Sequence, residues 1–88
     1  MYLNITRQSV LSAMADIDKN GVPPTREARS ICVIHPNDSR REYPVKYLCE
    51  IAHNSINGNR RIEYDKFISH EAARALIDLG FKVIGFKK

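Results

Sequence analysis

The stretch from Ser39 to Ala52, SRREYPVKYLCEIA, joins a strand-like half to a helix-like half at Pro44. Proline has its φ fixed near the helical value and lacks an N–H, so it is tolerated in the first helical turn but not in a helix interior. Small and apolar residues then recur at three- and four-residue steps, as on one helical face: Leu48, Ile51, Ala52 and Ser55. The sequence therefore predicts a β-hairpin that passes directly into an amphipathic helix.

Length and composition limit the class of protein. A chain of 88 residues with 43% hydrophobic residues is sufficient for one small domain, residues 1–88, with a single thin core. No apolar stretch is long enough to cross a bilayer, and the first residues do not resemble a signal peptide. Two cysteines, Cys32 and Cys49, do not suggest a disulfide scaffold. We expect a cytoplasmic domain with no membrane partner.

Caps and turn residues divide the rest of the chain. Thr6 is a suitable N-cap, and Asn20-Gly21 is a suitable helix end, because glycine adopts the left-handed conformation without cost. The predicted elements are a helix from Thr6 to Asn20, strands at 31–35 and 40–43, a helix at 44–54, a helix capped by Ser69 that ends before Gly80, and a strand at 81–86. This order, helix-strand-strand-helix-helix-strand, predicts a small α+β domain with helices packed on an antiparallel sheet.

Hydrophobic periodicity predicts which faces of these elements are buried. Phe81 and Val83 alternate with polar residues, so they are expected on one face of the last strand. The predicted buried residues of the first helix are Val10, Leu11, Met14 and Ile17, and those of the third helix are Ala72, Ala73, Leu76, Ile77 and Leu79.

Positive charge is the main functional indication. Fourteen Lys and Arg against ten Asp and Glu give a formal charge of +4, which permits association with nucleic acid. Lys46 falls in the first turn of the predicted second helix, where free backbone N–H groups favour an anion, and Arg40 and Arg41 lie just before it. The residues assigned to phosphate contact are Arg40, Arg41, Lys46, Arg60 and Arg61.

Lys46, the hairpin arginines and two nearby tyrosines also have a purely structural interpretation. Lys46 can pair with Glu50 one helical turn later, and arginines in a hairpin can simply keep an edge strand soluble. Tyr43 and Tyr47 can stack on bases, but packing against the core with the hydroxyl near the surface is the more common role of tyrosine.

Several short motifs resemble a known module. Tyr43 to Val83 is similar to the head domain found at the N-terminus of ScoMcrA-type modification-dependent HNH restriction endonucleases. The matching residues are Tyr43-Pro44, Lys46-Tyr47, Ala52, Phe67, Glu71-Ala72, Leu76 and Leu79-Gly80-Phe81-Lys82-Val83. Relatives have small residues, often paired glycines, where this chain has Ile68-Ser69-His70. The close similarity covers roughly half the chain.

In such endonucleases the head domain accompanies separate modified-base readers and an HNH nuclease. The resemblance therefore implies a module associated with DNA restriction or defence, and it does not imply cleavage. A free-standing copy would also fit a phage or mobile-element product that acts on a host enzyme.

Metal and catalytic motifs are weak. Cys32 and His35, and Cys49 and His53, have spacings found in zinc sites. On a strand, however, residues three apart leave opposite faces, and two ligands on one helix do not complete a structural site. The sequence has no phosphate-binding glycine loop, nucleophile elbow or triad spacing. We expect no metal, no cofactor and no enzymatic activity.

The sequence thus predicts a non-catalytic nucleic-acid-binding module that contacts the phosphate backbone, with DNA as the expected partner and RNA as an alternative. The other hypothesis is a protein-interaction module or a small inhibitor of a nucleic-acid-processing enzyme, in which Ile84, Phe86 and the tyrosines form an apolar patch.

Overall fold

The computed structural model describes residues 3–24, 31–58 and 69–85. Within these ranges the chain forms three helices and a three-stranded sheet. The helices are α1 (Arg7–Asn20), α2 (Val45–Ile56) and α3 (Ser69–Asp78), and the strands are β1 (Cys32–His35), β2 (Asp38–Pro44) and β3 (Lys82–Ile84). The order α1-β1-β2-α2-α3-β3 confirms the predicted α+β fold class and element order.

Helix α1 has the predicted ends. The Thr6 hydroxyl accepts a hydrogen bond from the backbone N–H of Ser9 at 3.0 Å, and the Thr6 backbone N–H donates to the Ser9 hydroxyl at 3.0 Å. This reciprocal pair satisfies two N–H groups at the helix start. At the other end Gly21 has φ +79°, and its N–H donates to the carbonyl of Ile17 at 2.7 Å. Local sequence was sufficient for both boundaries.

The sheet is antiparallel, with β1 in the centre and β2 and β3 at its edges. Val33 of β1 pairs with Tyr43 on one side and with Val83 on the other. Val33 and Tyr43 are buried, and Val83 packs against the same core. This row defines the inner face of the sheet, on which the helices pack. Strand β2 begins earlier than predicted, at Asp38.

Helix α2 begins one residue later than predicted. Pro44 pairs with Cys32 as the last residue of β2 and has ψ 126°, so it occupies the N-cap position instead of the first helical turn. The helix ends at Ile56, two residues beyond the predicted end. Its buried residues are Val45, Leu48, Cys49, Ala52 and His53, whereas Ser55 is exposed. The buried face is broader than predicted because α2 contacts α1, α3 and β2.

Helix α3 differs from the prediction in the burial of one residue. Ile77 is 40% exposed, so its expected burial is wrong. Ser69, the predicted N-cap, is the first residue of the described helix and follows residues 59–68, which lie outside the described residues. The end of the helix is as predicted: Gly80 has φ +91° and its N–H donates to the carbonyl of Ile77 at 2.9 Å. The chain then turns so that Phe81 is buried. Strand β3 is shorter than predicted, and Phe86 lies outside the described residues.

Contacts distant in sequence join the ends of the helices. The Arg7 guanidinium lies 4.7 Å from the ring centroid of Phe81 and donates to the carbonyl of Leu79 at 3.0 Å, linking the start of α1 to the end of α3. The backbone N–H of Asn4 donates to Nδ1 of the buried His53 at 2.9 Å.

None of the helices in the described residues has the length and apolar character needed to span a membrane.

Candidate functional site

Two of the four arginines predicted to contact phosphate, Arg40 and Arg41, lie on β2, and both are paired with carboxylates. Arg41 reaches helix α1, whereas Arg40 is almost fully exposed. Nη1 of Arg41 lies 3.1 Å from Oδ2 of Asp18 on α1, and its Nε lies 3.4 Å from Oδ2 of Asp38. Nε of Arg40 lies 3.4 Å from Oδ1 of Asp38. The two guanidinium groups therefore meet at the Asp38 carboxylate, and both are engaged by carboxylates of the chain itself.

The other predicted phosphate ligands are placed differently. Lys46 is in the first turn of α2, as predicted, but its side chain is partly buried and it interacts with another group of the chain. Arg60 and Arg61 lie outside the described residues. Phosphate contact by these residues stays a prediction, and Arg40, with a side chain 91% exposed, is the most accessible of them that the structure describes.

The formal charges of the described residues cancel one another. Residues 3–24, 31–58 and 69–85 together contain seven Lys and Arg and seven Asp and Glu. The formal excess of +4 comes from residues 25–30, 59–68 and 86–88. The described part of the domain therefore has no net charge of its own, and it offers no excess of cations for a polyanion.

Tyr43 has a structural role that involves the same carboxylate. Its hydroxyl donates to Oδ1 and Oδ2 of Asp18 at 2.9 and 3.0 Å, while its ring is 2% exposed. Burial, followed by the hydrogen bond and charge of Asp18, raises the pKa of Tyr43 to about 12, although Arg41 acts in the opposite direction. This arrangement agrees with core packing and leaves the ring unavailable for stacking on a base.

The outer face of the sheet carries a group of neighbouring apolar residues that are partly exposed. In one row Ile34 of β1 lies between Glu42 of β2 and Lys82 of β3. In the next row Cys32 lies between Pro44 and Ile84. We define these six residues as the outer face. Glu42 and Lys82 are exposed, Ile84 is 36% exposed, and Cys32, Ile34 and Pro44 are partly exposed.

The outer face continues into a shallow groove near the hairpin turn. This groove, about 430 Å³ in volume, is lined by Ile34, Asp38, Phe81 and Lys82, among others. Partial burial, followed by the nearby charge of Glu42, raises the pKa of the Cys32 thiol. The face thus combines an apolar centre, a neutral thiol and charges of opposite sign at its two sides. Of its members, the sequence hypothesis of an apolar patch included Ile84.

The zinc-like spacings correspond to separate structural roles. Cys49 is fully buried, burial raises its pKa to about 12, and its Sγ lies 3.8 Å from the carbonyl oxygen of Ala72. His53 accepts the Asn4 N–H through Nδ1, and His35 accepts the N–H of Asn37 at 3.0 Å. Within the described ranges, no group of three or more His, Cys, Asp and Glu side chains is arranged to hold a metal ion.

Sequence reasoning missed Asp18, which binds both Tyr43 and Arg41 although it lies 25 and 23 positions from them. No local signal marks such a partner.

Comparisons of the chain with protein-family models, with curated proteins and with solved structures found no match. The resemblance to the head domain of ScoMcrA-type endonucleases therefore stays a prediction based on the motifs.

Proposed function

We propose that this domain is a non-catalytic protein-interaction module that binds its partner through the outer face of the sheet. The observation that carries the proposal is the row Glu42–Ile34–Lys82, next to the apolar row Pro44–Cys32–Ile84. An apolar centre bordered by charged groups is the usual composition of a protein interface. Charges at the border set the relative orientation of the partners and raise the association rate. The apolar centre contributes the buried apolar surface that stabilises the complex.

The inner face cannot serve this purpose. Its row, Tyr43–Val33–Val83, already packs in the core with the helices. The outer face carries branched apolar side chains of the same kind without an equivalent covering in the described helices. Exposed apolar groups of this kind mark interaction sites more often when they are contiguous than when they are isolated.

Site-directed photo-crosslinking in cells tests the proposal. A photoreactive phenylalanine analogue is placed at Ile84, in the outer face, or at Ile77, on α3. The two isoleucines are a matched pair because they are 36% and 40% exposed. We expect a protein adduct from position 84 that persists after nuclease treatment, and none of comparable yield from position 77. Absence of any adduct from position 84, or equal labelling from both positions, contradicts the proposal.

A second candidate function is phosphate-backbone binding, with DNA before RNA, and the formal charge of +4 supports it. Arg40 is 91% exposed, and an exposed ion pair such as Arg40–Asp38 contributes only ~0–1 kcal/mol, so a phosphate can compete with the carboxylate. In this proposal the contacts come from Arg40, Arg41 and Lys46, with added charge from Arg60 and Arg61. Restriction or defence, as the motifs imply, is the proposed setting for either function.

Binding titrations across a salt series test this second candidate. Affinity for duplex and single-stranded DNA should fall steeply with salt, because bound counterions are released. Two double variants should weaken binding to all sequences alike: Arg40→Ala/Arg41→Ala and Arg60→Ala/Arg61→Ala. Arg74→Ala, at an exposed position of α3, is the control and should leave binding unchanged. Absence of binding at low salt excludes phosphate-backbone recognition.

A further inference from the structure

We propose that the partner of the outer face is a second copy of this chain, bound face to face about a two-fold axis parallel to β1. This inference rests on the proposed protein-interaction function and specifies its partner. A two-fold interface uses the same surface on both subunits, so that surface must be complementary to itself. The register of the sheet supplies such complementarity.

The row through Ile34 shows it most clearly. Glu42 and Lys82 lie on the two edge strands with β1 between them, and both pair in register with Ile34. Rotation about an axis parallel to β1 exchanges the two edges. It therefore places Glu42 opposite Lys82 of the partner subunit, and Ile34 opposite Ile34 of the partner subunit. Each dimer gains two ion pairs on the sides of an apolar centre.

The second row is compatible with the same rotation. Pro44 and Ile84 flank Cys32, so the rotation places Pro44 opposite Ile84 of the partner subunit, and the two Cys32 side chains near the axis. All contacts in this row are apolar or involve a thiol, which behaves as a small hydrophobic group when it is not ionised. No charge is buried without a partner of opposite sign.

The charges also exclude the other face-to-face arrangement. A two-fold axis perpendicular to β1 keeps each edge strand over its own copy, so it brings Glu42 near Glu42 and Lys82 near Lys82 of the two subunits. Like charges placed opposite each other are unfavourable. The pattern glutamate–isoleucine–lysine therefore selects the axis parallel to the strands.

The expected association is weak. Three strands spaced about 4.8 Å apart present a narrow face, so the interface belongs to the transient class that buries less than about 1,200 Å² in total. Dimerisation should therefore depend strongly on protein concentration. Sedimentation over a dilution series that starts at ~1 mM covers the range in which such contacts form.

A charge-exchange experiment tests the arrangement directly. Glu42→Lys alone places two lysines opposite each other at both ion pairs, and Lys82→Glu alone places two glutamates there, so each variant should sediment as a monomer. An equimolar mixture of the two variants pairs lysine with glutamate at both positions, so it should recover the concentration-dependent doubling of mass. The double variant Glu42→Lys/Lys82→Glu should behave like the original protein. A mixture that stays monomeric while the original protein dimerises overturns the proposed axis.

Cys32 provides a second readout. Packed sheets lie about 10 Å apart, whereas a disulfide requires Cα atoms about 6 Å apart, so a short bifunctional thiol reagent should link the two Cys32 residues more efficiently than direct oxidation. Cys32→Ser should abolish the product, because Cys49 is fully buried and unreactive in the folded protein. Glu42→Lys should reduce the yield, and mixing with Lys82→Glu should restore it.

Failure of this inference is distinguishable from failure of the proposed function. The dimer is overturned if the protein stays monomeric throughout the dilution series and Cys32 gives no cross-linked dimer. It is also overturned if the photoreactive group at Ile84 labels a different protein and never a second copy, a result that leaves the interaction function standing. No protein adduct of any kind from Ile84 rejects both.

Discussion

The two faces of the sheet use similar residues for different purposes. Val33 and Ile34 are neighbours on β1, both β-branched, and each lies in the middle of a three-residue row. Val33 is fully buried among core residues, whereas Ile34 lies between an exposed glutamate and an exposed lysine. The difference teaches that apolar character alone does not assign a strand residue to stability or to association. The layer of helices, which in the described residues packs on one side of the sheet, makes that assignment.

The largest expected effect separates the faces at β2. Tyr43→Ala removes a buried ring and should lower the free energy of unfolding by about 3–5 kcal/mol, because the helices cannot collapse fully into the cavity. Glu42→Ala, the adjacent exposed residue, should change it by less than about 0.5 kcal/mol. Urea denaturation at low protein concentration gives both values. Comparable losses from the two variants show that the outer face also supports the fold.

A smaller contrast is expected on β1. Val33→Ala should lower the free energy of unfolding by about 2 kcal/mol, from two lost carbon atoms and a residual cavity. Ile34→Ala removes more carbon atoms but from a partly exposed site, so its cost should stay under about 1 kcal/mol. At high protein concentration Ile34→Ala should instead weaken association. A larger stability loss from Ile34→Ala than from Val33→Ala reverses the assignment of the faces.

Two groups of the core, the Cys49 thiol and the Tyr43 hydroxyl, should make the free energy of unfolding fall at alkaline pH. The pKa of Cys49 is raised from 9.0 to about 12 by burial, and that of Tyr43 is raised from 10.0 to about 12 by burial and by Asp18. Between these values the unfolded chain has released protons that the folded chain retains, so stability falls as pH rises. The loss should begin above pH 9 for Cys49 and above pH 10 for Tyr43.

Two variants separate these contributions. Cys49→Ala should flatten the early part of the decline in the free energy of unfolding, and Tyr43→Phe the later part, in denaturation curves between pH 8 and pH 12. Cys32→Ser, on the outer face, should leave more of the decline in place than Cys49→Ala. Equal slopes for the original protein, Cys49→Ala and Tyr43→Phe contradict the assignment.

The smallest effects concern the two arginines. Arg41→Ala removes ion pairs to Asp18 and Asp38 and should lower the free energy of unfolding by up to about 1 kcal/mol, since the side chain is 52% exposed. Arg40→Ala should have almost no effect on stability, because its side chain is 91% exposed. Thermal or urea denaturation compares the two variants. A cost for Arg40→Ala above that of Arg41→Ala contradicts this difference in exposure and ion pairing.

Prediction from sequence succeeded where the determining groups are close along the chain. The capping pair of Thr6 and Ser9 and the left-handed glycines at 21 and 80 act within a few residues, so the limits of α1 and the end of α3 followed from local patterns. Prediction failed for Ile77, because periodicity gives the spacing of an apolar face but not how many neighbours cover it. Pro44 was displaced by one position because the sheet pairs it with Cys32.

The candidate site was less predictable than the fold for the same reason. The cations before and in the first turn of α2 are close in sequence, but Arg40 and Arg41 both contact the Asp38 carboxylate of their own strand. The partner of Arg41 on α1 is Asp18, 23 positions earlier. The outer face combines residues from three strands, and its complementarity becomes visible only when the register is known.

The sequence by itself determined the element order, the helix limits set by local caps, and the balance of formal charge. Only the tertiary structure decided which cations have carboxylate partners, which side of β1 is covered, and which residues share the outer face. The physical reason is how far apart in the sequence the interacting groups lie. Caps and periodic faces depend on groups within about one helical turn, whereas ion pairs and sheet rows join groups that folding alone brings together.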